Sequence, residues 1–461
     1  EEQTGDKSFY KGHYYSDKLP GYSLLATVPY AVAKLVMGLP SHPIGVKALA
    51  RWPADYIITV LTSGLFSALT GALLVGLSQR LRCGPKRAVL VGLAYGLATP
   101  AYTYATLAYG HQASAACLLG AFALLWIGDG KRLGVQAGLA GFLAAFASVI
   151  EIQVGPVSAI LGIYSIVQVV RGDRPIKSVL AFSLGAAIPT AILLIYNTLA
   201  FDSPWKMGYF YHAVERFAAV HSAENPLGVG WPDASKIDDL LIQPARGLFL
   251  YAPILLLAVP GFVVLAMKRQ WAVWLVSLSV SVAVFLVNLS YPEWSGGWST
   301  GPRLLTPMLP FAMLAVAGLL GAFRRRVTGL ATSLTIVGAV VILLFQGVGG
   351  RIPDPHPLPG GVINPLANPL LDSVLPIWAG ERLPGWTFGE RFATNAVSIM
   401  APRWLATLGP GQQWQQFAPL VIFQIVAIAL LFVCTRANVN PVMPEAKPRV
   451  DAQSPAKPDQ A

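Results

Sequence analysis

Two short polar stretches carry charge directly into apolar chain, and both have the residue types needed to hold a phosphate. Residues 12–25 read Gly-His-Tyr-Tyr-Ser-Asp-Lys-Leu-Pro-Gly-Tyr-Ser-Leu-Leu, so Asp17 and Lys18 stand just before Pro20-Gly21 and the apolar run that follows. An ammonium here reaches the depth of a lipid phosphate while the neighbouring carboxylate faces a polar substrate; a surface ion pair or a snorkelling lysine would look the same in sequence. His13 and the rings Tyr14, Tyr15 and Tyr22 surround the pair, as aromatics do at membrane interfaces.

The second stretch, 291–303, reads Tyr-Pro-Glu-Trp-Ser-Gly-Gly-Trp-Ser-Thr-Gly-Pro-Arg. It sets Trp294 and Trp298 around paired glycines and ends on Arg303 at the start of an apolar run. The forked donors of arginine suit phosphate, and the two indoles suit a sugar ring as well as they suit an aromatic belt. Glu293, beside Trp294, reads equally as a sugar-binding group or an exposed loop carboxylate.

His111, preceded by Tyr102, Tyr104 and Tyr109, opens another apolar run, where an imidazole could accept a proton, bond a sugar hydroxyl, bind a metal or simply cap a helix. Glu151 interrupts an apolar stretch, a position at which ionisable groups are candidates by default. Sequence names no partner for it, and a loop glutamate facing water is the expected case. Asp202, His212, Glu215 and His221 include one i, i+3 pair but no two-histidine metal pair at helical spacing, which favours a solvated face.

The elements that must position these residues are membrane helices. Of 461 residues 54% are hydrophobic and 12% charged, against about 25% charged in soluble domains. Apolar runs of about 17–25 residues, each able to cross as a helix, number about eleven. They fall at 52–78, 88–104, 112–127, 134–149, 154–170, 178–199, 246–267, 272–289, 303–323, 328–346 and 417–434. The run from Pro20 to Met37, interrupted by Pro29 and Lys34 and flanked by Ser41-His42-Pro43, reads as an interfacial helix.

Basic loops orient the chain: Arg80, Arg82, Lys86 and Arg87; Lys131 and Arg132; Arg171, Arg174 and Lys177; Lys268 and Arg269; Arg324, Arg325 and Arg326. Placed inside by the positive-inside rule, they send all six histidines and most of the 22 carboxylates to the outer face or its edge. Three regions are expected: 1–51, an outer loop with the interfacial helix; 52–434, the transmembrane bundle with large outer loops at 200–245 and 347–415; and 435–461, a disordered cytoplasmic tail.

The net charge of +11 is spread through these loops rather than gathered with aromatics on one face, so nucleic acid is not an expected partner. No phosphate-cradling glycine motif stands in a strand-to-helix context, which disfavours an ATP-driven pump. Cys83, Cys117 and Cys434 are far apart and not in metal-ligand spacing.

Taken together, Tyr-Ser-Asp-Lys-Leu-Pro-Gly at 15–21, Tyr-Gly-His at 109–111, Phe-Asp-Ser-Pro-Trp at 201–205, Arg-Gly-Leu-Phe-Leu-Tyr-Ala-Pro at 246–253 and Gly-Gly-Trp-Ser-Thr-Gly-Pro-Arg at 296–303 resemble membrane glycosyltransferases of the GT-C superfamily. Protein O-mannosyltransferases and the aminoarabinose transferase of lipid A are the nearest well-known relatives. The resemblance implies an all-α polytopic bundle in the bacterial inner membrane, with its active face outside the cytoplasm. It also implies inverting transfer of a hexosyl or pentosyl group from a polyprenyl-phosphate donor to a glycan, lipid or protein acceptor.

On that resemblance Lys18 and Arg303 would hold the donor phosphate, Asp17 and His111 would be catalytic, and His13, Tyr15, Trp294 and Trp298 would line the substrate. His111 stands near where a relative has a carboxylate. The main catalytic carboxylate of the family lies just after its first helix, some tens of residues before the Asp-Lys stretch. The resemblance therefore places that group upstream of Glu1, with one more helix to make about twelve spans. A divalent metal is left open, since relatives differ on it. A transporter or flippase of a lipid-linked polar substrate would instead require repeats and charge near the membrane midplane, and a non-catalytic envelope-assembly protein would show no turnover.

Overall fold

A computed structural model describes residues 6–37, 53–128, 132–221, 225, 227–323, 326–348, 350, 352, 363–379, 425 and 429. The expected span 417–434 (apart from 425 and 429), the tail 435–461, most of the loop 347–415, Ser41-His42-Pro43, Cys434 and the basic residues Lys131, Arg324 and Arg325 lie outside the described residues.

The chain is mostly helical, with one addition to the expected all-α fold. Strands β1 (Lys7–Tyr10) and β2 (His13–Ser16) pair antiparallel, Lys7 opposite Ser16 and Tyr10 opposite His13. Lys11 and Gly12 join them with φ of 48° and 81°. Two positive-φ residues make the kind of turn whose twist matches that of paired strands. The hairpin ends at Asp17, and Gly21–Met37 follows as a helix that leaves Val28, Val32, Leu35 and Val36 exposed. The described helix is 17 residues long.

Seven described helices are long and apolar enough to cross a membrane: Tyr56–Arg80, Leu133–Ile150, Ile152–Val170, Lys177–Phe201, Trp271–Leu289, Arg303–Ala322 and Arg326–Gly347. His111–Ile127 and Pro253–Met267 are shorter apolar helices. This is a multi-pass membrane protein, but two of the eleven expected spans are broken. The run 88–104 divides into Pro85–Leu97 and Ala101–Ala105 around Pro100. The run 246–267 divides into Leu248–Tyr251, a 3-10 turn Pro253–Leu257 and Ala258–Met267, because Pro253 has no N–H to donate into a continuous ladder.

Arg303–Ala322 is the central helix. It is apolar on all sides, and Phe311, Met313, Leu314, Ala315 and Val316 have no exposed surface, as expected of a helix surrounded by others. Lys177–Phe201 lies at the periphery, with Leu184 and Leu199 mostly exposed, so its apolar surface faces lipid rather than protein.

Alternation of the helices sorts the connections to two ends of the bundle. At one end, basic side chains close helix C-termini: Arg87 donates to the carbonyl of Leu320, and Arg174 to those of Leu124 and Leu125 at 3.0 and 2.6 Å. Such cations satisfy carbonyls that a helix leaves without an internal donor. At the other end lie the hairpin, the segments 101–111, 201–221 and 227–245, Glu151 and the loop 290–302.

Candidate functional site

Asp17 stands just before the turn into Gly21–Met37, and the segment 201–213 covers it. Its side chain is 1% exposed, with Oδ2 3.0 Å from Lys18 Nζ; the same ammonium stands 3.3 Å from Asp6 Oδ1. Gly208 lies against the backbone here, and a Cβ at that position would come within 2.8 Å of Asp17 Cα. Ser8 Oγ donates to the Gly208 carbonyl at 2.7 Å and Ala213 N to the Lys7 carbonyl at 3.0 Å. Tyr15 and Tyr211 pack on Phe201, and Lys11 and Tyr10 pair with Asp202. The hairpin and the segment 201–213 thus form one cover.

Under that cover the histidines are buried, contrary to the solvated face expected for them. The His212 side chain is 2% exposed, its Nδ1 3.7 Å from Asp17 Oδ2. His221 packs between Tyr209 and His212, each ring centroid 4.9 Å away, and its Nε2 is 3.1 Å from the Tyr291 hydroxyl. The apolar half of this segment had to be covered by something, and the hairpin absent from the helical reading supplies it.

Glu151 is the second correction. It sits between two spans, at the end of Leu133–Ile150, and its side chain is 12% exposed rather than facing water. It pairs with His111 Nδ1 at the start of His111–Ile127, and Ser114 Oγ donates to its other oxygen at 3.0 Å. Tyr104 and Tyr109 enclose the imidazole at 5.4 and 5.7 Å between ring centroids. The Arg303 guanidinium lies over that same Tyr109 ring, 5.1 Å from its centre.

Tyr109 is in turn fixed by a π-helical turn, Val60–Gly64, within the first long span. Ser63 Oγ donates to the Tyr109 carbonyl at 2.9 Å, and the Tyr22 hydroxyl bonds Thr62 and Ser63 at 2.8 and 3.1 Å. Single π turns inside α-helices are frequent at functional sites.

Arg246 sets the loop that delivers Arg303. Its side chain is buried and donates to the carbonyls of Ser295, Ala245 and Gly297 at 3.0, 2.7 and 2.7 Å. Tyr104 adds a bond from its hydroxyl to the Thr300 carbonyl at 3.0 Å. In sequence Arg246 stands out only within the Arg-Gly-Leu-Phe-Leu-Tyr-Ala-Pro motif, as a lone arginine at the start of an apolar run.

The electrostatics join these contacts into one site. Burial pushes the Asp17 carboxyl up against the opposing pull of Lys18. Burial, His221 and Lys18 together push His212 down to about 4, so it is neutral at pH 7. Burial would raise Glu151, but His111, Ser114 and Arg303 outweigh it and hold the carboxyl below its ordinary value. Burial raises the Tyr291 phenol to about 12, with Lys18 and Arg303 both pulling the other way. One hydroxyl thus feels both cations.

Asp17 and Lys18 lie with the cover, and His111 and Arg303 share the Tyr109 ring; both groups stand at the same end of the bundle. The expected substrate-lining residues divide. Tyr15 is part of the cover, and His13 is exposed at the start of β2. Trp294 is buried in a small apolar cluster with Leu240, Ala245 and Leu289, so its ring serves packing. Trp298, 45% exposed, keeps indole surface at the same end. Among the described residues, no three His, Cys, Asp or Glu side chains are grouped to hold a metal ion.

No protein-family model matches the chain, and no curated protein matches it in sequence. Among solved structures, it is similar to the crystal structure of ArnT from Cupriavidus metallidurans bound to undecaprenyl phosphate. That likeness covers 94% of this chain and 70% of the other, with 15% identity and a TM-score of 0.43. The site is assigned on its own residues.

Proposed function

We propose that the protein is an integral membrane glycosyltransferase that moves a sugar from a polyprenyl-phosphate donor to an acceptor at the outer face of the inner membrane, with inversion. The observation that carries this reading is the state of Arg303. Its guanidinium is half-buried on Tyr109, its Nε is buried, and among the described residues that Nε has no hydrogen-bond partner. A half-buried guanidinium whose Nε is left without a hydrogen bond, and which has no ion-pair contact among the described residues, is suited to an anion that arrives from outside.

Lys18 supplies the second cation. Asp17 and Asp6 hold it at the mouth of the site, and both carboxylates can yield part of its hydrogen bonding to a phosphate. Such an arrangement matches the reaction implied by the sequence resemblance. The acceptor hydroxyl loses its proton, its oxygen bonds to the anomeric carbon, and the bond from that carbon to the phosphate oxygen breaks. The leaving group changes from phosphodiester to monoester dianion, and cations fixed beforehand stabilise that extra charge in the transition state. Asp17 and His111 are the two candidates for the acid–base role on this reading.

Lys18→Ala and Arg303→Ala test it. Each is expected to lower transfer from a polyprenyl-phosphate sugar by about 10²–10³ in kcat, with expression and thermal unfolding in detergent unchanged. Normal transfer by both variants would contradict the assignment.

A further inference from the structure

His111 and Glu151 form a buried carboxylate–imidazole pair, and its geometry goes beyond holding two helices together. Nδ1 faces the carboxylate in an ion-pair contact, neither ring nitrogen makes a hydrogen bond of good geometry among the described residues, and Nε2 is buried. Only 6% of the histidine is exposed. A purely structural histidine in such a place would be expected to use both ring nitrogens, because a buried polar atom left unpaired costs roughly 1–3 kcal/mol.

The carboxylate side of the pair is fully built. Ser114, one turn along the helix from His111, donates to Glu151 Oε2, leaving Oε1 for the imidazole. A carboxylate facing Nδ1 favours the proton on that nitrogen and leaves the Nε2 lone pair as an acceptor. Gly110 is part of the fit: a Cβ there would stand 2.6 Å from Ile150 Cγ2 and 3.3 Å from Glu151 Oε1. The imidazole also packs against the ring that carries Arg303, so the proton acceptor and the phosphate-binding guanidinium share one neighbour.

Asp17 is arranged for a different task. Its Oδ2 is committed to Lys18, its Oδ1 is buried with no hydrogen-bond partner among the described residues, and the Gly208 turn lies directly against its backbone. Its charge fixes the ammonium in place.

Resting on the transferase reading above, we propose that His111 Nε2 takes the proton from the acceptor hydroxyl and that Glu151 is the positioning residue that holds His111 in the required tautomer. The proton moves from the acceptor oxygen to Nε2, the oxygen bonds to the anomeric carbon, and the phosphate leaves with the electron pair of the broken bond. Imidazolium formed at Nε2 is stabilised by Glu151.

The test is a double-mutant cycle in the full-length, detergent-purified protein, with polyprenyl-phosphate hexose and pentose as donors and a crude envelope acceptor. Glu151→Gln is expected to lower kcat about 10–100-fold and His111→Gln about 10²–10⁴-fold, with donor KM within about twofold of wild type. The double variant is expected to match His111→Gln alone, since Glu151 acts through the histidine. Nitrogen-15 NMR of labelled histidine supplies a readout independent of turnover, namely protonated Nδ1 and bare Nε2 in wild type and a mixed population in Glu151→Gln.

Multiplicative losses in the double variant, wild-type kcat in Glu151→Gln, or a wild-type His111 protonated at Nε2 alone would each overturn the proposal while leaving the transferase reading intact. Wild-type protein inactive with every donor would overturn both. Should Glu151→Gln fail to fold, Ser114→Ala removes one support of the carboxylate, and the NMR of wild-type protein still decides the tautomer.

Discussion

His212 shows how burial alone changes what a residue can do. The sequence supports a solvated histidine at that position, since its spacing to Glu215 and His221 has no metal-pair pattern. In the fold it lies against Asp17 with a pKa of about 4. Its folded-state value is below the ordinary value of about 6.5, so the unfolded chain binds more protons in between. Stability therefore falls as pH drops from about 6.5 to about 4, by on the order of 3 kcal/mol. Thermal unfolding of wild type and His212→Gln across that window checks the sign, because the variant should lose this part of the slope. Equal slopes would show that His212 does not titrate as its surroundings dictate.

The charged residues proposed for the site are those that the sequence singles out most readily. Lys18, Asp17, His111 and Arg303 stand out because charge beside apolar chain is rare and needs a reason. Their partners were not legible. Glu151 meets His111 across 40 positions of chain, and a contact of that range depends on how two helices pack, which local pattern does not encode. Trp294 failed for the converse reason, since an indole reads the same whether it will face a ligand or fill a core.

At the scale of elements, two supports hold the site from outside it. Arg246 locks the loop 290–302 through the carbonyls of Ser295 and Gly297. Arg246→Ala should cost at least about 3 kcal/mol, because buried carbonyls lose a charged donor. Thermal unfolding reads that loss, and a shift under about 0.5 kcal/mol, the range of ordinary surface changes, would contradict the role. Gly208 presses the cover onto Asp17, and backbone atoms cannot move aside for a side chain there. Gly208→Ala should lift the segment 201–213, seen as faster proteolysis within it and reduced transfer. Unchanged cleavage would mean the cover is held elsewhere.

Elements also show where hydropathy misleads. Windows of apolar residues run straight through Pro100 and Pro253, so 88–104 and 246–267 read as single spans, whereas backbone hydrogen bonding breaks each of them. The hairpin Lys7–Ser16 was missed because its alternation is short and its strands are largely polar, giving little signal against an otherwise helical chain.

The whole molecule is a bundle whose two ends differ in chemistry. Basic side chains cap helices at one end, and among the described residues Asp17, Glu151, His111 and His212 lie with Lys18 and Arg303 at the other. That division was legible from loop charge and parity, because a membrane chain must alternate sides at each crossing. Counting spans was harder, since breaks within helices do not change the apolar composition that the count relies on.

The most direct test of the central claim is release of free polyprenyl phosphate from a set of polyprenyl-phosphate sugars by the purified protein, alongside Arg303→Ala. The account predicts turnover with at least one donor, dependent on acceptor and lost in the variant. No release with any donor from well-folded protein would contradict it and favour a transporter or an envelope-assembly role.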